Sequence, residues 1–538
     1  MAKNVATPGV YIEEKNAFPN SVAAVPTAVP AFVGYTARTS RNGHSIVNTP
    51  VRISSLTEYH NIFGGGFQTS FNITEASPQQ YDFEVSGKQY QVVPERDARF
   101  LMYDSIRLFF ANGGGTCYIV SAGGYYRETA AATPASTSAA TTKPGDKNAK
   151  VDDKKVPEKP QAGKKQVNAL SKKALEEALN TLVGEQEPTL LVIPEAVMCE
   201  AGDCYALQQA MLMQCGQKMK NRFAILDVHA GYEKRTNDSN DVITRFREGI
   251  GSNYLNFGAA YYPWVYTSVV QKDEVSYKNI SNVDVLEKLL SEEAGEINAD
   301  SKRAEEAKIE IKKISAAGTN EESLNQTLTT ISPVFKQITN SVRAQLNILP
   351  ASAGMAGIYA SVDDARGVWK APANVGYNSV IAPVVKLTNA EQEDLNITAT
   401  GKSVNAIRSF VGEGTVVWGA RTLDGNSQDW RYVNVRRTML YIEESVKNAA
   451  KSYVFEPNDN GTWTLIRGMI NSFLNDVWRA GGLAGSTADQ AYNVEVGLGN
   501  TMTPQDILDG FMRISVKVAV VRPAEFIVIT FQQKMQES

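Results

Sequence analysis

The chain is poor in the residues that most chemistry uses. It carries three histidines (His44, His60 and His229) and four cysteines in 538 residues. So few cysteines cannot form a disulfide framework for a chain this long, which fits a reducing compartment. No stretch of ~18 uninterrupted apolar residues occurs, so no membrane-crossing helix and no direct membrane insertion are expected. The opening MAKNVATPGVYIEEKN has no apolar core of a secretory signal. Neither sign of charge dominates: 54 Lys plus Arg face 58 Asp plus Glu, for a formal net charge of −4. Nothing in that balance holds a polyanion, and no nucleic acid is expected as a partner. The remainder is ordinary globular material, 43% hydrophobic and 21% charged, enough for large cores and, at ~100–200 residues per domain, for several domains. The expected product is a soluble multidomain protein made in the cytoplasm.

Motifs of catalysis are equally thin. Gly64-Gly65-Gly66 and Gly113-Gly114-Gly115 lack the following Lys-Ser/Thr of a phosphate-binding loop and match no Gly-x-Gly-x-x-Gly fingerprint, so turns and helix stops are the expected roles. Ile193-Pro194-Glu195-Ala196 stands where a dinucleotide fold would place its glycines, and no Gly-x-Ser-x-Gly elbow occurs. Cys199, Cys204, Cys215 and His229 lack the tight Cys-x-x-Cys knuckle of a zinc site and read as buried thiols and a lone imidazole. Asp227, Asp363 and Asp364 are candidate carboxylates, although helix caps and turn anchors account for such residues more often. No catalytic residue, metal or cofactor is assigned. A cytoplasmic α/β enzyme and a non-contractile shell or baseplate component stand as the alternatives to the reading below.

Along the chain, residues 1–30 read as an extended arm. Pro8, Pro19, Pro26 and Pro30 exclude a helix, while Val10-Tyr11-Ile12 forms a short strand. Residues 31–126 read as an α+β domain, with strands at 31–35, 51–53 and 116–120 and a helix at 100–110. Residues 127–167, rich in Ala, Thr, Lys and Pro, read as a disordered insertion. Residues 168–369 alternate helix and apolar strand, suggesting a parallel sheet covered by helices, with an exposed, charged helical insertion at about 285–346. Residues 370–538 form a C-terminal domain. It has a helix at 436–453 with an apolar stripe (Met439, Ile442, Val446, Ala449, Tyr453), an alternating strand at 512–520 and a last β-rich run at 525–531.

Several strings combine: Pro8-Gly9-Val10-Tyr11-Ile12-Glu13-Glu14; Phe32-Val33-Gly34-Tyr35-Thr36; Phe109-Phe110-Ala111-Asn112-Gly113-Gly114; and the stretch DARGVWKAPAN from Asp364 to Asn374. VWGARTL from Val417, WRYVNVRR from Trp430, YVFEPN from Tyr453 and PAEFI from Pro523 complete the set. In this order they resemble the contractile tail sheath proteins of myophages and of phage-tail-like contractile injection systems. The resemblance is dense at both ends of the chain and sparse between about 127 and 350.

That resemblance implies a multidomain α/β and α+β fold. An inner α+β sheath domain is built from both chain ends (1–30 with about 370–538), and α/β domains with insertions face outward. It implies a structural role without catalysis: a helical homopolymer, stacked in rings of six, that surrounds an inner tube protein and contracts to drive the tube through a target envelope. Baseplate and terminator or cap proteins are the implied further partners, and the cytoplasm of the producing bacterium is the implied site of assembly. Subunits that slide yet stay connected need exchanged strands, because backbone hydrogen bonds survive rigid rotation of the bodies they join. Val10, Tyr11 and Ile12 on the arm, with Val516, Val518, Val520, Phe526 and Val528 at the C-terminus, are the expected exchange residues. Arg437, Glu444, Lys447 and Lys451 are the expected tube-facing residues, on a polar helix face suited to weak, releasable contacts.

Overall fold

Continuous apolar runs decide the centre of the molecule. Ala31-Phe32-Val33, Leu190-Leu191-Val192 and Phe223-Ala224-Ile225-Leu226 offer no polar face to water, so they are stable only in a sheet covered on both sides. In the computed structural model, which describes residues 22–77, 81–95, 99–127, 166–236, 238–297, 301–316, 318 and 320–530, they line up side by side. We number the strands β1 (Pro30–Thr36), β2 (Val51–Ile53), β3 (Cys117–Gly124), β4 (Leu190–Val192), β5 (Phe223–Asp227), β6 (Gly258–Tyr262), β7 (Val375–Gly376), β8 (Asn405–Phe410) and β9 (Gly414–Trp418). They form one nine-stranded sheet in the order β7-β9-β8-β6-β5-β4-β1-β3-β2. From β3 across to β8 every pairing is parallel, and antiparallel strands close both edges. Two helix pairs pack on it: α1 (Met102–Ala111) with α4 (Ser352–Arg366), and α2 (Lys172–Thr181) with α3 (Ala201–Met213).

Buried carboxylates tie sheet to helix. Strand β1 has an irregularity between Gly34 and Tyr35. There the Tyr35 N–H turns to Glu195 Oε2 at 2.8 Å, while Glu195 Oε1 accepts from the N–H groups of Leu101 (3.1 Å) and Met102 (3.2 Å) at the start of α1. One side chain thus satisfies a strand bulge and a helix N-terminus together. The approach is close: a Cβ on Gly34 would meet Glu195 Oε2 at 3.0 Å and Met102 Cβ at 3.1 Å. Burial pushes the Glu195 carboxyl up to about 7, against the lowering effect of those three N–H groups. At the end of β5, Asp227 Oδ1 accepts from the Ser352 N–H at the start of α4 (2.8 Å), and burial pushes its carboxyl up to about 6.

The sheet runs through the expected domain boundaries. Strands from 31–126, from 168–369 and from the first part of 370–538 share it, because Val375, Ile407 and Val417 continue the same apolar layer. The segment 283–346 is helical as expected, but it is no exposed insertion. Leu286, Leu290, Phe335 and Ile338 are buried in the main core, and Asn282 exchanges hydrogen bonds with the Ile73 backbone. Apart from Glu293, which is buried and accepts from Ser332 and Val334, its charges lie mostly on the outward faces, which is what made it read as solvated. The expected disordered stretch lies outside the described residues except at its flanks, where the Arg127 N–H donates to Gln166 O at 2.8 Å.

A second, smaller core is built from α5 (Val433–Ala450), α6 (Asn460–Arg479), β10 (Tyr492–Val496) and β11 (Ile514–Val518). Val22, near the other end of the chain, is buried in it. Four stretches of chain cross between the two cores: 22–29, the segment around Trp369, α5 and 519–525.

Because Glu195 is pushed above the ~4.3 of an unfolded glutamate, folding takes up a proton between the two values. Its contribution is full below about pH 4.3 and is lost as pH rises through about 7. Thermal or denaturant unfolding from pH 5 to 8 should therefore show a steeper decline for the parent chain than for Glu195→Gln, by on the order of 1 kcal/mol per pH unit at most. Equal slopes would refute this account.

Candidate assembly surfaces

Helix α5 is where sequence pattern and environment meet. Ile442 and Ala449 of the expected stripe are buried in the small core, with Val446 and Tyr453 packed on it, whereas Met439 is only half-buried. The first half of the helix faces the large core through Val433 and Leu440. Arg436 lies over the Phe257 ring at 4.3 Å and the Trp430 ring at 4.5 Å. The neighbouring Arg437 is not on an exposed face. Its side chain is 3% exposed and pairs with Asp363, Nη1 to Oδ1 at 2.9 Å and Nη2 to Oδ2 at 2.5 Å. Nη2 also donates to Thr27 O (3.0 Å), and the guanidinium sits 4.7 Å from the Tyr359 ring centre. Helical periodicity correctly set Arg437 away from the small core, but α4 and the root of the arm cover that side.

The later turns do reach the surface. Lys447 is 55% exposed and pairs with Glu444 (3.0 Å), and Lys451 donates to Asn448 Oδ1 at 2.9 Å. Glu444, Asn448 and Lys451, but not Lys447, edge a cleft of about 260 Å³ between α5, residues 25–27 and the base of the sheet, with Glu187, Leu440 and Tyr441 also lining it.

The strand candidates divide into three groups. Val516 and Val518 lie in β11, which pairs antiparallel with β10 as a two-stranded sheet. Among the described residues no further strand occupies either outer edge. Helix α6 packs against β10, which gives so small a sheet its support. Val520 lies past β11 and bridges Leu483. Phe526 and Val528 were expected in a strand but belong to none: Phe526, Ile527, Val528 and Ile529 are 67%, 79%, 89% and 70% exposed. β-Branched runs of this kind need a neighbouring strand to become a ladder, and among the described residues none pairs with this one. Val10, Tyr11 and Ile12 lie outside the described residues.

Just before the exposed run, Glu525 is held firmly. Its carboxylate accepts from Arg421 Nε (3.0 and 3.1 Å), Arg421 Nη2 (2.6 Å), Asn396 Nδ2 (2.6 Å) and the Tyr432 hydroxyl (3.1 Å). Burial alone would raise this carboxyl, but those donors hold it below the usual range. Arg421 is 4% exposed, and its own backbone is set by Asn405, which accepts from its N–H and donates to its carbonyl. Upstream, Asn434 on α5 donates to Val521 O at 3.0 Å. Sequence reasoning missed this pair: both residues stand in the quoted strings, but 104 positions separate them and no local spacing joins them. It also passed over α6, although Ile466, Ile470, Phe473 and Val477 keep helical spacing after an Asp459 cap.

The other candidates do not converge. Among the described residues no three His, Cys, Asp or Glu side chains could hold a metal ion. Cys204 and Cys215 are buried, and burial pushes the Cys215 thiol up to about 12 and Cys199 up to about 11, away from the thiolate a metal would take. The His229 ring nitrogen Nε2 lies 3.2 Å from the backbone oxygen of Cys199, and its ring meets that of Tyr205 edge-on at 6.2 Å. Asp227 and Asp363 are structural partners of Ser352 and Arg437, and Asp364 is exposed on α4.

Residues 426–534, which supply the second core apart from Val22 and the packed Trp369, match the family model of the phage tail sheath C-terminal domain. The tail sheath protein of Vibrio phage KVP40 is 25% identical over 34% of this chain and 26% of its own length. That of Burkholderia phage BcepMu is 28% identical over 36% of this chain and 39% of its own length. The chain therefore spans between about a quarter and two fifths of these relatives. Over nearly its full length it is similar to two solved assemblies. One is the contracted sheath complex of an extracellular contractile injection system, PVC (27% identity, TM-score 0.56, 99% of each chain). The other is the contracted helical sheath of the anti-feeding prophage, AFP (25% identity, TM-score 0.56, 98% of this chain and 100% of that one).

Removing Arg437 would leave Asp363 buried without its partner. Arg437→Met should cost about 3–5 kcal/mol in denaturant unfolding. Combining it with Asp363→Leu should recover most of that loss, and a single variant as stable as the parent chain would contradict the assignment.

Proposed function

We propose that this chain is the structural subunit of a contractile sheath. It polymerises as a helical stack of rings around an inner tube and contracts to drive that tube through a target envelope. The observation that carries this reading is the likeness to contractile sheath chains over 99% of both chains at 27% identity. The C-terminal domain match supports it independently. On this reading the chain is not an enzyme. Its enzyme-like parallel sheet is a scaffold, and the buried carboxylates at its strand ends cap helices. Its partners are further copies of itself, the tube protein, and baseplate and terminator proteins. It is made in the producing bacterium's cytoplasm and becomes part of a phage tail or tail-like particle.

Cohesion during contraction is assigned to exchanged strands. The two-stranded sheet β10–β11, through Val516 and Val518, is the acceptor. Val10-Tyr11-Ile12 at one end of the chain and Phe526 and Val528 at the other are donors. The work of contraction is assigned to surface buried between subunits, because small gains per subunit add over hundreds of copies. Tube contact is assigned to Glu444, Lys447 and Lys451, without Arg437, since a polar face releases more readily than an apolar seal.

Two experiments test these assignments. Deleting residues 1–15 should leave a folded monomer that forms no sheath by negative-stain electron microscopy, and normal assembly would remove the exchange model. Reversing the charges of Lys447 and Lys451 should weaken co-assembly with the tube protein several-fold, more so at low salt. Unchanged co-assembly would remove these residues from the tube contact.

A further inference from the structure

Glu195 and Asp227 stand at the carboxyl ends of β4 and β5 themselves, and the chain just beyond them encloses a space that neither uses. Cys199 follows β4, His229 and Tyr232 follow β5, and Trp264 follows β6. With Glu95, Arg99 and the start of the short strand Ile348–Leu349 they line a cavity of about 440 Å³. Loops at the carboxyl ends of adjacent parallel strands are the usual place for a small ligand, and the volume lies within the ~300–1,000 Å³ of such sites. None of the lining residues belongs to the assembly surfaces described above.

One aromatic wall is rigid. Trp264 is 2% exposed, its indole N–H donates to Val228 O at 3.0 Å, and a Cβ on Gly231 would meet its ring at 2.6 Å. Tyr232, 49% exposed, meets that ring edge-on at 5.2 Å. Such a corner receives a flat ring against one face and one edge. His229 and Cys199 add no charge at neutral pH, because burial holds the imidazole below its usual value and pushes the thiol up to about 11.

The charge comes from Arg99. Its Nη2 donates to Leu346 O (3.3 Å) and Ile348 O (2.5 Å), which caps the helix Pro333–Leu346. Capping occupies one nitrogen of three. Among the described residues Nε and Nη1 find no acceptor, and no carboxylate forms an ion pair with this guanidinium. Asp104, whose charge reaches it, pairs with Arg107 instead at 3.5 Å. Burial lowers Arg99 to about 10, so it stays charged at neutral pH. A cation held among apolar walls without a paired anion is costly, and an anion in the cavity would offset that cost. Glu95 shares the lining and repels a second negative charge, so a single carboxylate fits where a phosphate dianion does not.

We propose that this cavity is a binding site for a small aromatic monocarboxylate, whose carboxylate pairs with the Arg99 donors left open by helix capping and whose ring packs against Trp264 and Tyr232.

The test uses the full, unpolymerised chain and naphthalene-2-carboxylate as the probe, with binding read by calorimetric titration. Saturable binding of one probe per chain is expected, with naphthalene-2-carboxamide and inorganic phosphate each weaker by about ten-fold or more. Arg99→Met should weaken the probe by about ten-fold or more. Tyr232→Ala, at a half-exposed position, should keep the melting temperature and weaken the probe several-fold, which leaves the site testable even where Arg99→Met folds poorly. Glu95→Gln should keep the probe bound and raise the affinity for phosphate. Bound probe should slow amide hydrogen exchange at 197–199 and 228–232. No saturable binding by the parent chain would overturn the proposal, as would equal affinity for the amide, unchanged affinity in Tyr232→Ala, or protection confined to other segments. Phosphate bound as tightly as the probe would remove the monocarboxylate assignment.

Discussion

The guanidinium of Arg437 is the point on which the two cores depend. It lies where α5 passes from one core to the other, and it binds an α4 carboxylate, the carbonyl of Thr27 and the face of Tyr359. Two opposite charges removed from water repay their desolvation only when geometry is good and the remaining donors are satisfied. Here the pairing is bidentate and the spare donor goes to a backbone oxygen. Tyr359 is itself bonded to Tyr261 on β6 at 2.7 Å, so the pair also fixes α5 against the sheet. Without it, 22–29 and α5 would keep the Val25 N–H to Ser445 hydroxyl bond but lose the charged contact that also reaches α4, and apolar contacts are not directional.

The same logic recurs at the strand ends. A doubly covered parallel sheet ordinarily presents a ligand crevice at the carboxyl ends of its strands. Here that position is taken by Glu195 and Asp227, whose oxygens accept from backbone N–H groups at a helix start and, for Glu195, also from the β1 irregularity at Tyr35. The arrangement ties the sheet to its helices, and burial raises both carboxyls against the lowering effect of the N–H groups they accept from. At the junction Arg437 and Arg421 instead pair with carboxylates directly.

Local structure was legible wherever one period governed a segment. The runs 189–193 and 222–228 became β4 and β5, FLMYDSIRLFF became α1, and the helix expected at 436–453 begins three residues earlier. The likeness to tail sheath proteins, too, was readable from strings near both ends. What failed was everything that depends on which surface covers which. Arg437 and Lys447 look alike in a helical pattern, but one is buried under α4 and the other is solvated. The helices of 283–346 carry so many charges that their Leu and Phe stripe was discounted. The domain limits near 126 and 370 failed because adjacency in a sheet is not adjacency in sequence: β1 lies between β3 and β4, and β8 beside β6. The run 525–531 has strand composition, but among the described residues its part up to Thr530 joins no strand, which composition alone could not reveal.

One consequence concerns mechanical load. The root of the N-terminal arm is fastened to α5 through Arg437 and through Ser445, whose hydroxyl accepts from the Val25 N–H. The C-terminal segment is fastened to the same helix through Asn434. Tension drawn along either chain end is therefore delivered in part to one helix, α5, while at the C-terminal end the Arg421–Glu525 pair passes a share to the large core. The hydrogen bonds at each root share the pull between side chain and backbone.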